Sequence, residues 1–208
     1  MFTGIIADNS PIMKITPKGG KREFVIKTNL MQDSLKIGDS IACNGICLTV
    51  IQFNSESITL EAMNETLYKS TAGNWKIKQN IHLERAMLLS DRLDGHIVQG
   101  HVDCTSRLIN KRLIKDTSYL EFYLEEQYRN LVVAQGSIAI DGVSLTVSDK
   151  KSESFEVSLI SHTLDKTHFG SLVVGDYVNL EFDIIGKYVV NMFSKAKMNE
   201  QWLKEKGF

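Results

Sequence analysis

Apolar and polar residues alternate with the two-residue period of a strand through most of the chain. Runs such as "EFVIKT", "SITLEAM", "SYLEFYL" and "SFEVSLI" have the β-branched and aromatic content of a pleated, half-buried surface. Turn signals separate them: "GG" at 19–20, "NSES" at 54–57, "AGN" at 72–74, "KSES" at 151–154, and above all Asn44-Gly45 and Asp141-Gly142. Asn-Gly and Asp-Gly mark two-residue hairpins because both turn positions need φ > 0. The charged segment "EEQYRN" (125–130) predicts a short helical turn. The period changes only near the end, where Ile185, Tyr188, Val189, Met192, Phe193 and Ala196 recur at three- and four-residue spacings. That is an apolar stripe on a helix. One helix cannot bury its own stripe, so it is expected to pack on the strands or on copies of itself, with Trp202 and Leu203 extending the contact.

The pattern occurs twice. "IACNGICLTV" (41–50) returns as "IAIDGVSLTV" (138–147), "NETLYKS" (64–70) as "SHTLDKT" (161–167) and "IHLE" (81–84) as "VNLE" (178–181), each 97 positions on. Near the front "TGII" (3–6) meets "QGHV" (99–102) at an offset of 96. A repeat this long is a domain, whereas solenoid units run only about 20–50 residues. The repeats span roughly 1–88 and 97–185. The expected organisation is a first β-barrel over 1–96, a second over 97–185 and a C-terminal helical segment over 186–208. Six or so short strands per half predict an all-β fold of two similar small barrels or sandwiches.

Composition narrows the function. Of 208 residues, 43% are hydrophobic and 24% charged, with a formal net charge of −1. No excess of positive charge draws the chain to nucleic acid or an anionic membrane. No apolar run approaches the ~18–20 residues that cross a bilayer. The opening "MFTGIIADNS" lacks a basic, then long apolar, leader, so a cytoplasmic protein with reduced Cys43, Cys47 and Cys104 is expected. His96, His101, Asp94 and Asp103 lie close in sequence, but alternation puts the two histidines on opposite faces and no zinc-type spacing appears. No metal is expected, and no glycine-rich phosphate loop is present.

After each Xaa-Gly turn, Ile46, Leu48 and Val50, or Val143, Leu145 and Val147, point to one face. Cys47 with Thr49, or Ser144 with Thr146, point to the other. Threonine is a good strand former and a small polar group is tolerated on any exposed strand, so one copy alone says little. Two copies in register offer twin pairs of small polar groups spaced to hydrogen-bond a flat heterocycle.

These peptides, with "MFTGII", "GHIVQGHVD" and "VNLEFD" followed by "KYV", resemble the riboflavin synthase alpha chain family across essentially the whole chain. The resemblance implies two closed six-stranded barrels and a C-terminal helix through which three chains associate. It implies a transferase of riboflavin biosynthesis that needs no cofactor. Two molecules of 6,7-dimethyl-8-ribityllumazine become riboflavin and 5-amino-6-(ribitylamino)pyrimidinedione by passage of a four-carbon unit. Each barrel is expected to hold one lumazine, and lumazine synthase is the further partner the family suggests. Such a reaction needs the C7 methyl of one ring to lose a proton and C7 of the other to take a nucleophile. Holding two rings face to face supplies much of the rate, since effective molarity is worth ~7–11 kcal/mol.

The resemblance assigns residues as follows. His101 is the candidate for proton transfer, and Ser144 for orienting or delivering the nucleophile. Asp183 is either an acidic group near the reacting atoms or a carboxylate serving the following helix. Cys47 faces the other lumazine and is read as a binding or positioning group, since no positive neighbour that would make it a thiolate is visible. Asp141 is what a type I′ turn asks for. Thr49, Met63, Glu65 and Thr66, and Thr146, Ile160, His162 and Thr163, line the two cradles, with the adjoining Leu48 and Leu145. Backbone groups of Gly4, Ile5, Ile6, Ala62, Asn64, Gly100, Val102, Leu159 and Ser161 hold the pyrimidine edge. Phe2 and Thr3 are expected near the first site. Gln135 stands where the family often has lysine, giving a neutral contact, and Asn64 and Ser161 where proline is common. The rival reading is a non-catalytic lumazine- or flavin-binding antenna-type relative, and a third is a barrel pair serving only as an interaction module.

Overall fold

The computed structural model describes residues 1–28, 30 and 35–193. The first half runs through β1 (Asp8–Lys18), β2 (Lys21–Lys27), β3 (Ser40–Cys43), β4 (Ile46–Phe53), β5 (Ser57–Met63), α1 (Asn64–Lys69) and β6 (Asn80–Arg85). The second repeats it with β7 (Cys104–Ile114), β8 (Thr117–Tyr123), β9 (Ser137–Ile140), β10 (Val143–Lys150), β11 (Ser154–Leu159), α2 (Ser161–Lys166) and β12 (Tyr177–Phe182). A final helix, α3, occupies 184–193 of the described residues. The strands close antiparallel barrels in the same order, β1-β2-β5-β4-β3-β6 and β7-β8-β11-β10-β9-β12. Register slips at Ile12/Lys14 and Val50/Gln52, and at Leu108/Asn110 and Val147/Asp149, bend the long strands at matching points. Bulges of this kind let a short sheet curl shut.

Alternation fills each barrel. Along β4 the even positions Ile46, Leu48 and Val50 are buried, while Cys47 is half-buried and Thr49 exposed. Phe24, Ile26, Ile58 and Leu60 complete the first interior, and Phe122, Phe155, Val157 and Phe182 anchor the second. The hairpin turns adopt the conformation their residues require, with φ of 45° and 75° at Asn44 and Gly45 and 43° and 81° at Asp141 and Gly142. "EEQYRN" becomes a 3-10 helix over Glu126–Leu131. "AGN" is not a simple turn but part of a 3-10 helix over Thr71–Asn74, capped by the Ser70 hydroxyl. The helices α1 and α2 have no periodic signature because neither buries a residue.

The halves meet about a pseudo-twofold axis. The two turns touch tip to tip: a Cβ on Gly45 would lie 2.6 Å from the Gly142 nitrogen, and one on Gly142 2.6 Å from the Gly45 nitrogen. Phe2 and Val98, both fully buried, exchange backbone hydrogen bonds and pack on Ala42 and Ala139. A clasp of polar side chains surrounds them. The Asn179 amide donates to the Asn44 carbonyl (2.8 Å) and its oxygen accepts from the Thr71 N–H (2.7 Å). At the equivalent place His82 binds the Asp141 carbonyl through Nδ1 (2.9 Å), and its Nε2 accepts from the His168 N–H (2.9 Å). Its ring stacks on that of His168, whose Nε2 lies 3.0 Å from the Asp141 carboxylate. An imidazole thus copies an amide: one nitrogen donates, the other accepts.

On α3, Ile185, Tyr188, Met192 and Phe193 are each more than three-fifths exposed and Val189 is 44% exposed, so most of the stripe is open to solvent in the single chain. Ala196, Trp202 and Leu203 lie outside the described residues. Among the described residues no helix is long and apolar enough to cross a membrane.

The clasp makes His82 acid-sensitive, because protonation of Nε2 would replace the acceptor of the His168 N–H by a second donor. Burial, reinforced by His168, holds its pKa well below the ordinary 6.5. A histidine depressed in the folded state binds more protons when unfolded, so stability is lost as pH falls below about 6.5. His82→Asn, copying Asn179, should abolish that loss. Between pH 7.5 and 5.5 urea denaturation should cost the natural chain about 1 kcal/mol more than the variant.

Candidate functional site

The polar faces of β4 and β10 acquire walls because the leading segment of each half crosses to the other. Cys47 N–H donates to the Gly100 carbonyl and Ser144 N–H to the Gly4 carbonyl, both at 2.8 Å. Two buried carboxylates fix these segments. Glu84 on β6 accepts from the Thr3 N–H (2.6 Å), the Thr3 hydroxyl (2.7 Å) and the Gly4 N–H (3.0 Å). Glu181 on β12 accepts from the N–H groups of Gln99 (2.6 Å), Gly100 (2.9 Å) and His101 (2.9 Å). Burial raises both carboxyl pKa values above the usual range, and these bonds oppose the rise. The repeat of "IHLE" in "VNLE" carried this signal, an acidic residue recurring on a strand that is otherwise buried. Neither glutamate is identifiable as a clamp without knowing where the leading segments run.

In the first cradle Ile46, Cys47, Met63, Thr66, Gly100, His101 and Val102 enclose a cavity of about 300 Å³. Met63 is exposed at its mouth, and Glu65 sits on the rim in an i,i+4 ion pair with Lys69 at 2.7 Å. Thr49 is exposed on the same strand face as Cys47. The three cysteines are free. Burial pushes the Cys43 thiol well up and that of Cys104 to about 12, and only Cys47 reaches the cavity. Two larger hollows, of about 820 and 690 Å³, lie along the groove between the halves; of the candidate residues they contain only Asn64.

The second cradle uses the equivalent positions, with Gly4, Ile5 and Ile6 in place of Gly100, His101 and Val102. Ser144 is half-buried, Thr146, Ile160 and His162 are exposed, and Thr163 is half-buried. Here the symmetry breaks. Ser144 Oγ lies 2.7 Å from Nδ1 of His96, a histidine only 9% exposed. Burial lowers the His96 pKa, and the nearby Asp183 carboxylate opposes that shift. Asp183 also accepts from the Ile185 N–H at 2.9 Å, so it serves the helix while its charge acts on the imidazole. Residues 96–101 form no strand, only an isolated bridge at Val98, so alternation does not set the directions of His96 and His101 and gives no hint that His96 returns to the hydroxyl. That contact follows from the chain around 96–98 running antiparallel to the first residues, with His96 N–H on the Thr3 carbonyl.

The four residues singled out for chemistry therefore divide. Cys47 and His101 border one cradle, Ser144 and Asp183 the other. Two sequence-based placements, those of Phe2 and Thr3, need correction. Phe2 is wholly buried between the barrels, and the Thr3 hydroxyl is spent on Glu84, so neither lines the first cradle. The segment they lead belongs beside Ser144 instead. Leu48, Ala62 and Leu159 are buried side chains that present only backbone, and Leu145 is half-buried against the second core. Gln135 occupies a turn at φ 64°, exposed, with its N–H on the Val147 carbonyl. Asn64 and Ser161 open α1 and α2, the first-turn position where an N–H has no helical partner and proline fits.

The lumazine binding domain family matches the chain twice, over 3–86 and 99–183. A riboflavin synthase of Actinobacillus pleuropneumoniae is 38% identical over 215 aligned positions covering 100% of both chains. One of Bacillus subtilis is 35% identical with the same coverage. One of Mycobacterium tuberculosis is 38% identical over 94% of this chain and 100% of that one. Among solved structures, LumP complexed with 6,7-dimethyl-8-(1'-D-ribityl) lumazine superposes with a TM-score of 0.78 at 19% identity, covering 87% of this chain and 98% of that one. LumP complexed with riboflavin gives 0.80 at 18% identity, over 88% and 99%. At such identity the likeness speaks to the fold.

The close approach of the leading segments generates a stability test. Gly4 and Gly100 have φ of 78° and 82°, and a Cβ on either would lie 2.6 Å from the Cβ of Ser144 or Cys47. Gly19 has φ 52° with nothing within 4 Å. Gly19→Ala should cost about 1 kcal/mol in urea denaturation. Gly4→Ala and Gly100→Ala should cost about 2–4 kcal/mol, the strain of overlap adding to the backbone term.

Proposed function

The chain belongs to the riboflavin synthase family, and we propose that it converts two molecules of 6,7-dimethyl-8-ribityllumazine into riboflavin and 5-amino-6-(ribitylamino)pyrimidinedione. The observation that carries this reading is the pair of cradles in one chain, alike in frame and unlike in chemistry. A reaction that consumes two copies of one molecule needs two similar pockets. It also needs them to differ, because one ring gives up four carbons and the other receives them. Cys47 with His101 against Ser144 with His96 and Asp183 supplies that difference.

Each half-site is open, and the polar groups of the two face different cradles. The reading therefore includes self-association: the first cradle of one chain against the second of a neighbour, three chains joined by α3. The apolar stripe exposed on α3 supports it. In this arrangement 1–96 and 97–185 are the two lumazine-binding units and 186–208 the assembly segment, in a cytoplasmic enzyme. Proximity supplies the larger share of the rate, and the residues named above handle the protons. The binding-only alternative, a LumP-like protein, shares the fold. The similarity to riboflavin synthases along the full chain favours the enzyme.

Incubation of the pure protein with 6,7-dimethyl-8-ribityllumazine should produce riboflavin fluorescence, with two lumazines consumed per riboflavin. Bound but unchanged lumazine would favour the alternative. His101→Gln and Ser144→Ala should each slow turnover by about 10²-fold or more without changing the sedimentation of the assembly. Val189→Glu with Met192→Glu should instead give monomers by analytical ultracentrifugation, with turnover falling because the half-sites part. A fully active monomer would contradict this assembly.

A further inference from the structure

We infer that His96 is a positioning residue for Ser144: it takes the hydroxyl proton and so makes the second cradle, of the two, the one that delivers an oxygen nucleophile to its bound ring. The inference rests on the function proposed above and names a residue to which the sequence assigned no role. Three observations carry it.

The first is geometry. The 2.7 Å contact between His96 Nδ1 and Ser144 Oγ is the distance at which a hydroxyl donates to a ring nitrogen. The serine Cβ is held in place by close packing: a Cβ on Gly4 would stand 2.6 Å from it and one on Gly95 2.9 Å. The hydroxyl therefore keeps one direction while its backbone N–H is committed to Gly4.

The second is charge. His96 is buried, and its anionic neighbour is Asp183, whose own carboxylate is oriented by the Ile185 N–H at the start of α3. Through the Thr3 carbonyl that receives the His96 N–H, the clamp carboxylate Glu84 stands one residue further off. Burial keeps the imidazole neutral and able to accept a proton. Asp183 stabilises the imidazolium that forms once it has done so. Base, hydroxyl and carboxylate are the three roles of an activated-serine site.

The third is asymmetry. In the repeat, Asp183 corresponds to Ala86 and Ser144 to Cys47. The Cys47 position is covered by the Gly100 backbone, with His101 at the cavity wall. The relay belongs to one cradle.

The step balances without an added reactant. The Ser144 O–H bond breaks, the proton passes to His96 Nδ1, and the oxygen lone pair forms a bond to electron-poor C7 of the ring in the second cradle. The electron pair displaced from C7 is taken up by the conjugated pteridine. Expulsion of the serine later returns the proton along the same path.

A double-mutant cycle tests this. Riboflavin formation and lumazine affinity would be measured for the natural chain, His96→Ala, Ser144→Ala and the two combined. His96→Ala should lower kcat about 10²–10³-fold, with lumazine affinity changed less than about threefold. The combined variant should be no slower than Ser144→Ala, and added imidazole should restore part of the rate to His96→Ala but none to Ser144→Ala. His96→Asn, which keeps an acceptor for the hydroxyl but takes no proton, should stay slow and serves if the alanine variant does not fold. Losses that multiply in the combined variant, a loss confined to affinity, or no loss at all would overturn the assignment. If the natural chain binds lumazine without turning it over, the proposed function fails instead. The pairing is then judged by the His96 Nδ1 resonance in nitrogen NMR, which should move in Ser144→Ala; an unmoved resonance would overturn it.

Discussion

Two buried carboxylates decide the shape of everything that could bind a ligand here. Glu84 and Glu181 each gather donors from the leading segment of their own half and hold it against the sheet of the other. A carboxylate in such a place is expensive unless its oxygens are satisfied, and backbone N–H groups at 2.6–3.0 Å satisfy them. Without the clamps, β4 and β10 would be two polar strand faces open to water. With them, each face becomes a cradle built from both halves, and neither half is complete alone. The same economy appears at the axis, where Gly45 and Gly142 permit backbone contact that no side chain would allow.

Duplication followed by local divergence explains the chemistry. The barrels keep their frame because core positions, hairpin glycines and bulges recur at an offset of 97, or 96 near the front of each half. Divergence is concentrated where the frame does not care: Cys47 against Ser144, His101 against Ile5, Asp183 against Ala86. His82 against Asn179 shows divergence of another kind, in which an imidazole takes over the donor and acceptor geometry of an amide and adds sensitivity to acid.

Periodicity and turn chemistry made the architecture legible. Alternation along β4 and β10, the Asn-Gly and Asp-Gly hairpins and the stripe on α3 are local properties, and local physics sufficed. The repeat disclosed that there are two units. The crossing of the leading segments was not legible, because it depends on which strand each segment meets, and no residue type announces that. Phe2 was consequently placed at the first cradle when it is the seal between the barrels. His96 reads in the sequence only as a weak metal-ligand candidate, because it precedes the second repeat and has no counterpart in the first. The short helices α1 and α2 leave no periodic signal because each turns only one leucine, Leu67 or Leu164, partly onto its core and buries no residue fully.

The central claim is that one chain carries two working lumazine cradles, one beside Cys47 and His101 and one beside Ser144 and His96. A crystal structure of the assembled protein with a non-reacting lumazine analogue tests it most directly. Two analogue rings per chain, one in each cradle and with those of neighbouring chains face to face, are expected. A single occupied cradle per chain, or rings bound in the groove between the halves instead, would contradict it.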